Sequence, residues 1–140
     1  MFELEDCVGI ITCNTGKKIA DAFNEKLSAF GITRTQWIAI YYLGKFKSLN
    51  QKELSVKMNI KDSTLVRLID RLERDGLALR IKNNKDRRMT HLKLTDMGKQ
   101  KRAEMLPIGE EFVNCVSSGL SNEEIDTFRK VMNRLMENIE

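Results

Sequence analysis

Guanidinium groups one helical turn apart are the first chemistry the sequence offers. Arg67, Arg71 and Arg74 recur at three- and four-residue spacing, with Lys61, Ser63 and Thr64 just ahead of them. A second basic run, Lys85-Asp86-Arg87-Arg88, follows soon after. On a helix this spacing gathers the three arginines on one face, opposite Leu65, Leu68, Ile69 and Leu72. An arginine fork presents paired donors to a flat acceptor edge such as guanine O6/N7, and a lysine presents a point charge to phosphate. Short hydroxyls in the first turn of a helix reach base edges or phosphates. These residue types suit the reading of a nucleic acid, with Lys61, Ser63, Thr64, Arg67, Arg71, Lys85, Asp86, Arg87 and Arg88 as candidate contacts. The competing assignment is a set of surface ion pairs, Arg67, Arg71 and Arg74 with Asp70, Glu73 and Asp75, each worth little.

Other chemistry is poorly supplied. One histidine, His91, and three cysteines, Cys7, Cys13 and Cys115, make neither a nucleophile with its base nor a metal set, since no CxxC or HxxxH spacing occurs. No enzyme activity, metal or cofactor is expected, and the thiols are expected to be reduced and mostly buried. Charge is unevenly spread: residues 1–60 carry +2, residues 61–102 carry +7 and residues 103–140 carry −5. A basic middle localises an electrostatic footprint for a polyanion. No apolar run approaches the roughly 18–20 residues that span a bilayer, and the stretch Glu3-Leu4-Glu5-Asp6 is acidic where a secretory signal is basic. A cytoplasmic protein with no membrane partner is therefore expected.

The elements that must position these groups follow from periodicity and capping. Val8, Ile11, Ile19, Phe23, Leu27 and Phe30 mark a helix over about 4–30, with Gly31 as its left-handed stop. Thr33 and Gln36 form a capping box for a helix ending at Gly44, and Asn50 and Glu53 form another for a short helix ended by Met58-Asn59-Ile60-Lys61. Asp62 or Ser63 is expected to cap the helix that bears the arginines, which stops at Asp75-Gly76. The period then falls to two: Leu77, Leu79 and Ile81, a polar turn at Asn83-Asn84-Lys85-Asp86, and Thr90, Leu92 and Leu94 describe a hairpin with a basic tip. Thr95 caps a helix to about Ser118 that Pro107 should kink or split, and Ser121 with Glu124 opens a last helix through Ile139. The fold class is mainly α with a small β-hairpin wing, a winged helix-turn-helix flanked by terminal helices. It makes one domain over 1–140, with the winged lobe at 33–98 and a connecting helix at 95–118.

The run Leu65-Val66-Arg67-Leu68-Ile69-Asp70-Arg71-Leu72-Glu73-Arg74-Asp75-Gly76-Leu77, then Asp86-Arg87-Arg88, then Leu94-Thr95-Asp96-Met97-Gly98, closely resembles the MarR (multiple antibiotic resistance regulator) family. The resemblance covers the whole chain. It implies a sequence-specific double-stranded DNA-binding transcription regulator, a repressor relieved by a small-molecule ligand. It also implies an obligate homodimer held by residues 1–31 and 107–140 on a near-palindromic operator, with Arg88 entering the minor groove and Asp86 buttressing it. A small phenolic or anionic effector is the ligand the family suggests, and Trp37 and Tyr41, with neighbouring Tyr42, are the residues placed to line its pocket or simply to fill the core. In the family's peroxide-sensing branch, the sensing position aligns with Gly9 and the partner tyrosines with Phe23 and Arg34, which argues against that role for Cys7 or Cys13.

Overall fold

The computed structural model describes every residue except 83, 84 and 86–88. Helix α1 (Val8–Ser28) follows a 3-10 turn at Leu4–Asp6, so it starts later than its apolar stripe suggests. Gly31 takes a left-handed φ of 70° and ends the segment. Helix α2 (Arg34–Phe46), helix α3 (Gln51–Met58) and helix α6 (Asn122–Glu137) open on the capping boxes of Thr33 with Gln36, Asn50 with Glu53 and Ser121 with Glu124. Each box satisfies backbone donors that the first turn leaves without a helical partner.

Four expectations are corrected. Helix α2 does not stop at Gly44 but runs to Phe46, with Lys47 at its C-cap at φ 57°. Gly44 serves a different need: the Arg102 side chain crosses it so closely that a Cβ there would lie 2.1 Å from Arg102 Cδ. Helix α4 (Asp62–Arg74) has Lys61, not Asp62 or Ser63, at its N-cap, and no side chain closes it. Asp62 is instead drawn back to helix α3, as described below. Helix α5 (Asp96–Val116) passes through Pro107 as one run and is not split. The proline removes a single helical bond at an exposed position, where water can take the freed carbonyl. Nor are the thiols mostly buried: Cys7 is half-buried, and Cys13 and Cys115 are exposed on helices whose apolar faces are themselves open to solvent.

Strands β2 (Ala78–Lys82) and β3 (Thr90–Leu94) form the hairpin, and a two-residue strand β1 (Leu49–Asn50) adds a third member in the order β1-β3-β2. All pairs are antiparallel, with Leu49 opposite Leu92 and Arg80 also opposite Leu92 on the other edge. Strand β2 alternates, but its large apolar residues Leu79 and Ile81 face solvent, whereas Ala78 is buried and Arg80 is half-buried. The reason lies with Arg80, whose charge is needed on that side.

By internal packing the chain divides into two compact units, Met1–Ile108 and Gly109–Glu140. The core of the first gathers Ile40 and Leu43 of α2, Leu54 of α3, Leu65, Ile69 and Leu72 of α4, and Leu92 of β3, all nearly inaccessible. The helix-turn-helix and the hairpin thus share one core. In the second unit α6 has no buried residue, and Phe128, Val131 and Met136 along it are exposed.

Candidate nucleic-acid interface

Leu65, Leu68, Ile69 and Leu72 anchor α4 in the core, and this decides what the helix shows to solvent. Ser63, Thr64, Arg67, Arg71 and Arg74 are all exposed, and so is Lys61 at the N-cap. The competing ion-pair assignment holds for only one arginine. Arg74 Nε lies 3.3 Å from Asp75 Oδ1 on an exposed surface. Asp70 and Glu73 are engaged by Arg80 instead, and among the described residues no carboxylate pairs with Arg67 or Arg71. Arg67 and Arg71 thus stand one turn apart on the exposed face, both open to solvent.

The turn before α4 fixes where these groups point. Asn59 takes the left-handed conformation (φ 52°, ψ 49°) that closes α3, and the Ile60 amide donates to the Ser55 carbonyl at 3.1 Å. The buried Ser55 hydroxyl donates to Asp62 Oδ1 at 2.8 Å, while Lys52 Nζ lies 3.4 Å from Asp62 Oδ2. The Ser55 hydrogen bond, aided by Lys52, holds the Asp62 carboxyl below its ordinary range. A carboxylate in the first turn also matches the positive end of the helix.

Sequence reasoning missed Arg80, which ties the wing to α4. Its Nη1 lies 2.7 Å from Asp70 Oδ1 and also pairs with Glu73 Oε1, its Nη2 donates to the Val66 carbonyl at 3.2 Å, and its Nε donates to Gln51 Oε1 at 2.9 Å. One guanidinium from β2 thereby holds α4 at three points and α3 at a fourth. Burial opposes its charge, but the hydrogen bonds to Asp70 and Glu73 outweigh this and raise its pKa. The sequence shows Asp70 and Glu73 three apart on the arginine helix, but nothing local ties that pair to an arginine in a strand.

Of the wing-tip candidates, Lys85 is exposed, while Asp86, Arg87 and Arg88 lie outside the described residues. Trp37 is buried in the core and meets Tyr41 edge-on at 5.9 Å. Tyr41 is half-buried, with the Arg102 guanidinium 5.3 Å above its ring. Among the described residues no group of three or more His, Cys, Asp or Glu side chains is placed to hold a metal, and no helix is long and apolar enough to cross a membrane.

The sequence profile of the MarR family matches residues 32–90, the span from just before α2 to the first residue of β3. The HTH-type transcriptional repressor MdtR of Bacillus subtilis (strain 168) is 34% identical over 109 residues, which cover 78% of this chain and 70% of that protein. The chain belongs to the MarR family. Another relative, the transcriptional repressor MprA of Escherichia coli (strain K12), is 29% identical over 125 residues, 88% of this chain and 71% of that protein. Among solved MarR-type structures, AbsC from Streptomyces coelicolor superposes with a TM-score of 0.89 at 19% identity, covering 99% of this chain and 96% of AbsC. A MepR–DNA complex from S. aureus superposes with a TM-score of 0.87 at 21% identity, covering 99% of this chain and all of that one. The MarR fold therefore extends well beyond the segment that the profile matches.

Proposed function

We propose that the chain is a DNA-binding transcription regulator, a repressor that engages a near-palindromic operator as a homodimer and does no catalysis. The observation that carries this reading is the pair Arg67 and Arg71, exposed on a helix whose other face is locked in the core and without a carboxylate partner among the described residues. An α-helix fits the major groove, and an arginine there reads guanine by a bidentate contact. Relatives named as transcriptional repressors and a MarR-family fold solved on DNA support it. Lys61, Ser63, Thr64 and Lys85 complete the contact set on the described residues, with Asp86, Arg87 and Arg88 added from the sequence. Its place of work is the cytoplasm, where operator DNA lies, and a small phenolic or anionic effector relieves repression.

Arg67→Ala should weaken operator binding by about 1–3 kcal/mol and relax base preference at one position of each half-site. Selection of binding sites from a random duplex library, for wild type and variant at the same salt, measures both. Equal weakening on every sequence would place Arg67 on phosphate and remove the base-reading role.

The homodimer rests on apolar faces that the chain itself leaves uncovered. Val8 and Ile11 of α1 and Phe128, Val131 and Met136 of α6 are each between 46% and 58% exposed. Closing them around a two-fold axis would bury surface in the obligate class, above about 2,000 Å² in total. Sedimentation equilibrium should find a dimer at micromolar concentration, and removal of residues 125–140 should abolish it together with tight operator binding. A stable monomer of the intact chain would sink the proposal.

A further inference from the structure

We propose that Val66 reads the C5-methyl group of a thymine, which makes it a specificity-determining residue of α4. This role rests on the same placement of α4 in the major groove and adds to it a base and a chemical group. Of the five apolar residues of α4, Leu65, Leu68, Ile69 and Leu72 are buried, whereas Val66 is 40% exposed. On the helix it falls in a stripe with Ser63 and Asp70, beside the stripe of Thr64, Arg67 and Arg71. The two stripes suit different parts of a duplex. The arginine stripe can neutralise phosphate or fork onto guanine. The Val66 stripe has a hydroxyl, an isopropyl group and a carboxylate already paired with Arg80 at 2.7 Å, none of which neutralises a phosphate. Base edges remain. In the major groove they present hydrogen-bonding groups and one apolar group, the methyl of thymine. A valine cannot satisfy the former and gains by burying itself against the latter.

Val66 is also held ready for that contact. Its carbonyl accepts from Arg80 Nη2 at 3.2 Å, so the turn that carries it is tied to the wing strand. A β-branched side chain on a helix has one strongly preferred rotamer, which sets both methyl groups with little further ordering cost on binding. Arg67 is the next residue in the chain, so the thymine read by Val66 lies close to the guanine read by Arg67. Any other base at that place would set polar groups against the isopropyl group, so Val66 also selects against them.

Deoxyuridine isolates the methyl group, since it keeps every hydrogen-bonding group of thymine and lacks only the methyl. The preferred duplex is first selected from a random library with the full chain, and each of its thymines is then replaced in turn. One thymine of each half-site should show a loss of about fourfold on replacement, the worth of one buried methyl group. Val66→Ala should bind the thymine duplex with a similar loss and should not distinguish it from the deoxyuridine duplex. The scan on wild type needs no variant, so it tests the role even if Val66→Ala does not fold. A wild type indifferent to every replacement, or an alanine variant that still loses about fourfold at the same thymine, would overturn the assignment and leave Val66 as cover for the Arg80 stem. Either outcome spares the operator reading, because the selection has then returned a preferred duplex. A selection that returns none overturns both.

Discussion

Replacing Arg80 with alanine should cost about ten- to hundredfold in operator affinity, although Arg80 belongs to neither basic reading group. Its guanidinium joins β2, α4 and α3 at a single point, through Asp70, Glu73, the Val66 carbonyl and Gln51. Without it, Asp70 and Glu73 stay on α4 as unpaired carboxylates, and the angle between helix and wing loses its tie. Truncating one partner of a partly buried charge network costs about 1–3 kcal/mol, and a loss of that order in binding gives the stated factor. Arg80→Lys separates geometry from charge, because an ammonium keeps the charge but cannot make the fork. If geometry matters, the lysine variant should bind nearly as weakly as the alanine variant, with the salt slope of wild type. Wild-type affinity for Arg80→Lys, with a salt slope lower by about one in Arg80→Ala alone, would instead make Arg80 a plain phosphate contact.

The largest loss of stability is expected at Gly98, in the first turn of α5. A Cβ built there would lie 2.0 Å from the Leu77 carbonyl oxygen and 3.0 Å from its carbon, both backbone atoms that no rotamer change can move aside. The same junction is cross-linked: Thr95 Oγ1 donates to the Gly76 carbonyl at 2.6 Å and accepts from the Gly98 amide at 3.0 Å. Gly98→Ala should therefore destabilise the fold by about 3 kcal/mol or more. Gly16 makes the contrast, since nothing lies within 4 Å of its built Cβ on α1, and Gly16→Ala should stabilise by about 0.5–1 kcal/mol. Urea unfolding of both variants at one protein concentration, held fixed because association contributes to stability, would test the pair. A cost at Gly98 below about 1 kcal/mol would mean that the junction yields easily.

The helices were legible where local chemistry sets their ends. The boxes at Thr33, Asn50 and Ser121 each need only residues three apart, and all three close as read. The inward leucines of α4 were equally legible, because burial on one face imposes the helical period. Misreadings arose where a residue's partner is distant in sequence. Asp62 looks like a cap until Ser55 and Lys52 claim it, and Gly44 looks like a helix stop until Arg102 crosses it. Strand β1 is too short to show any period and exists only because β3 pairs with it. In the candidate site the exposed arginines could be read from spacing alone, whereas Arg80 could not. A lone arginine in a strand carries no local sign that two carboxylates on a helix await it.

The position of β3 in the middle of its sheet has a bearing on how the lobe comes together. Its two neighbours are separated by the whole helix-turn-helix, and the Ser48 hydroxyl meets His91 Nδ1 at 3.3 Å across 43 residues of sequence. Closing so long a loop costs chain entropy before any pairing energy is returned. Asn50, which caps α3, is also the residue of β1 opposite His91, so the first turn of α3 is stitched to the returning arm of the hairpin. Helix and hairpin therefore cannot order one at a time without leaving this seam open. The lobe should therefore fold as a single cooperative unit, with partial opening of the hairpin loosening the start of α3.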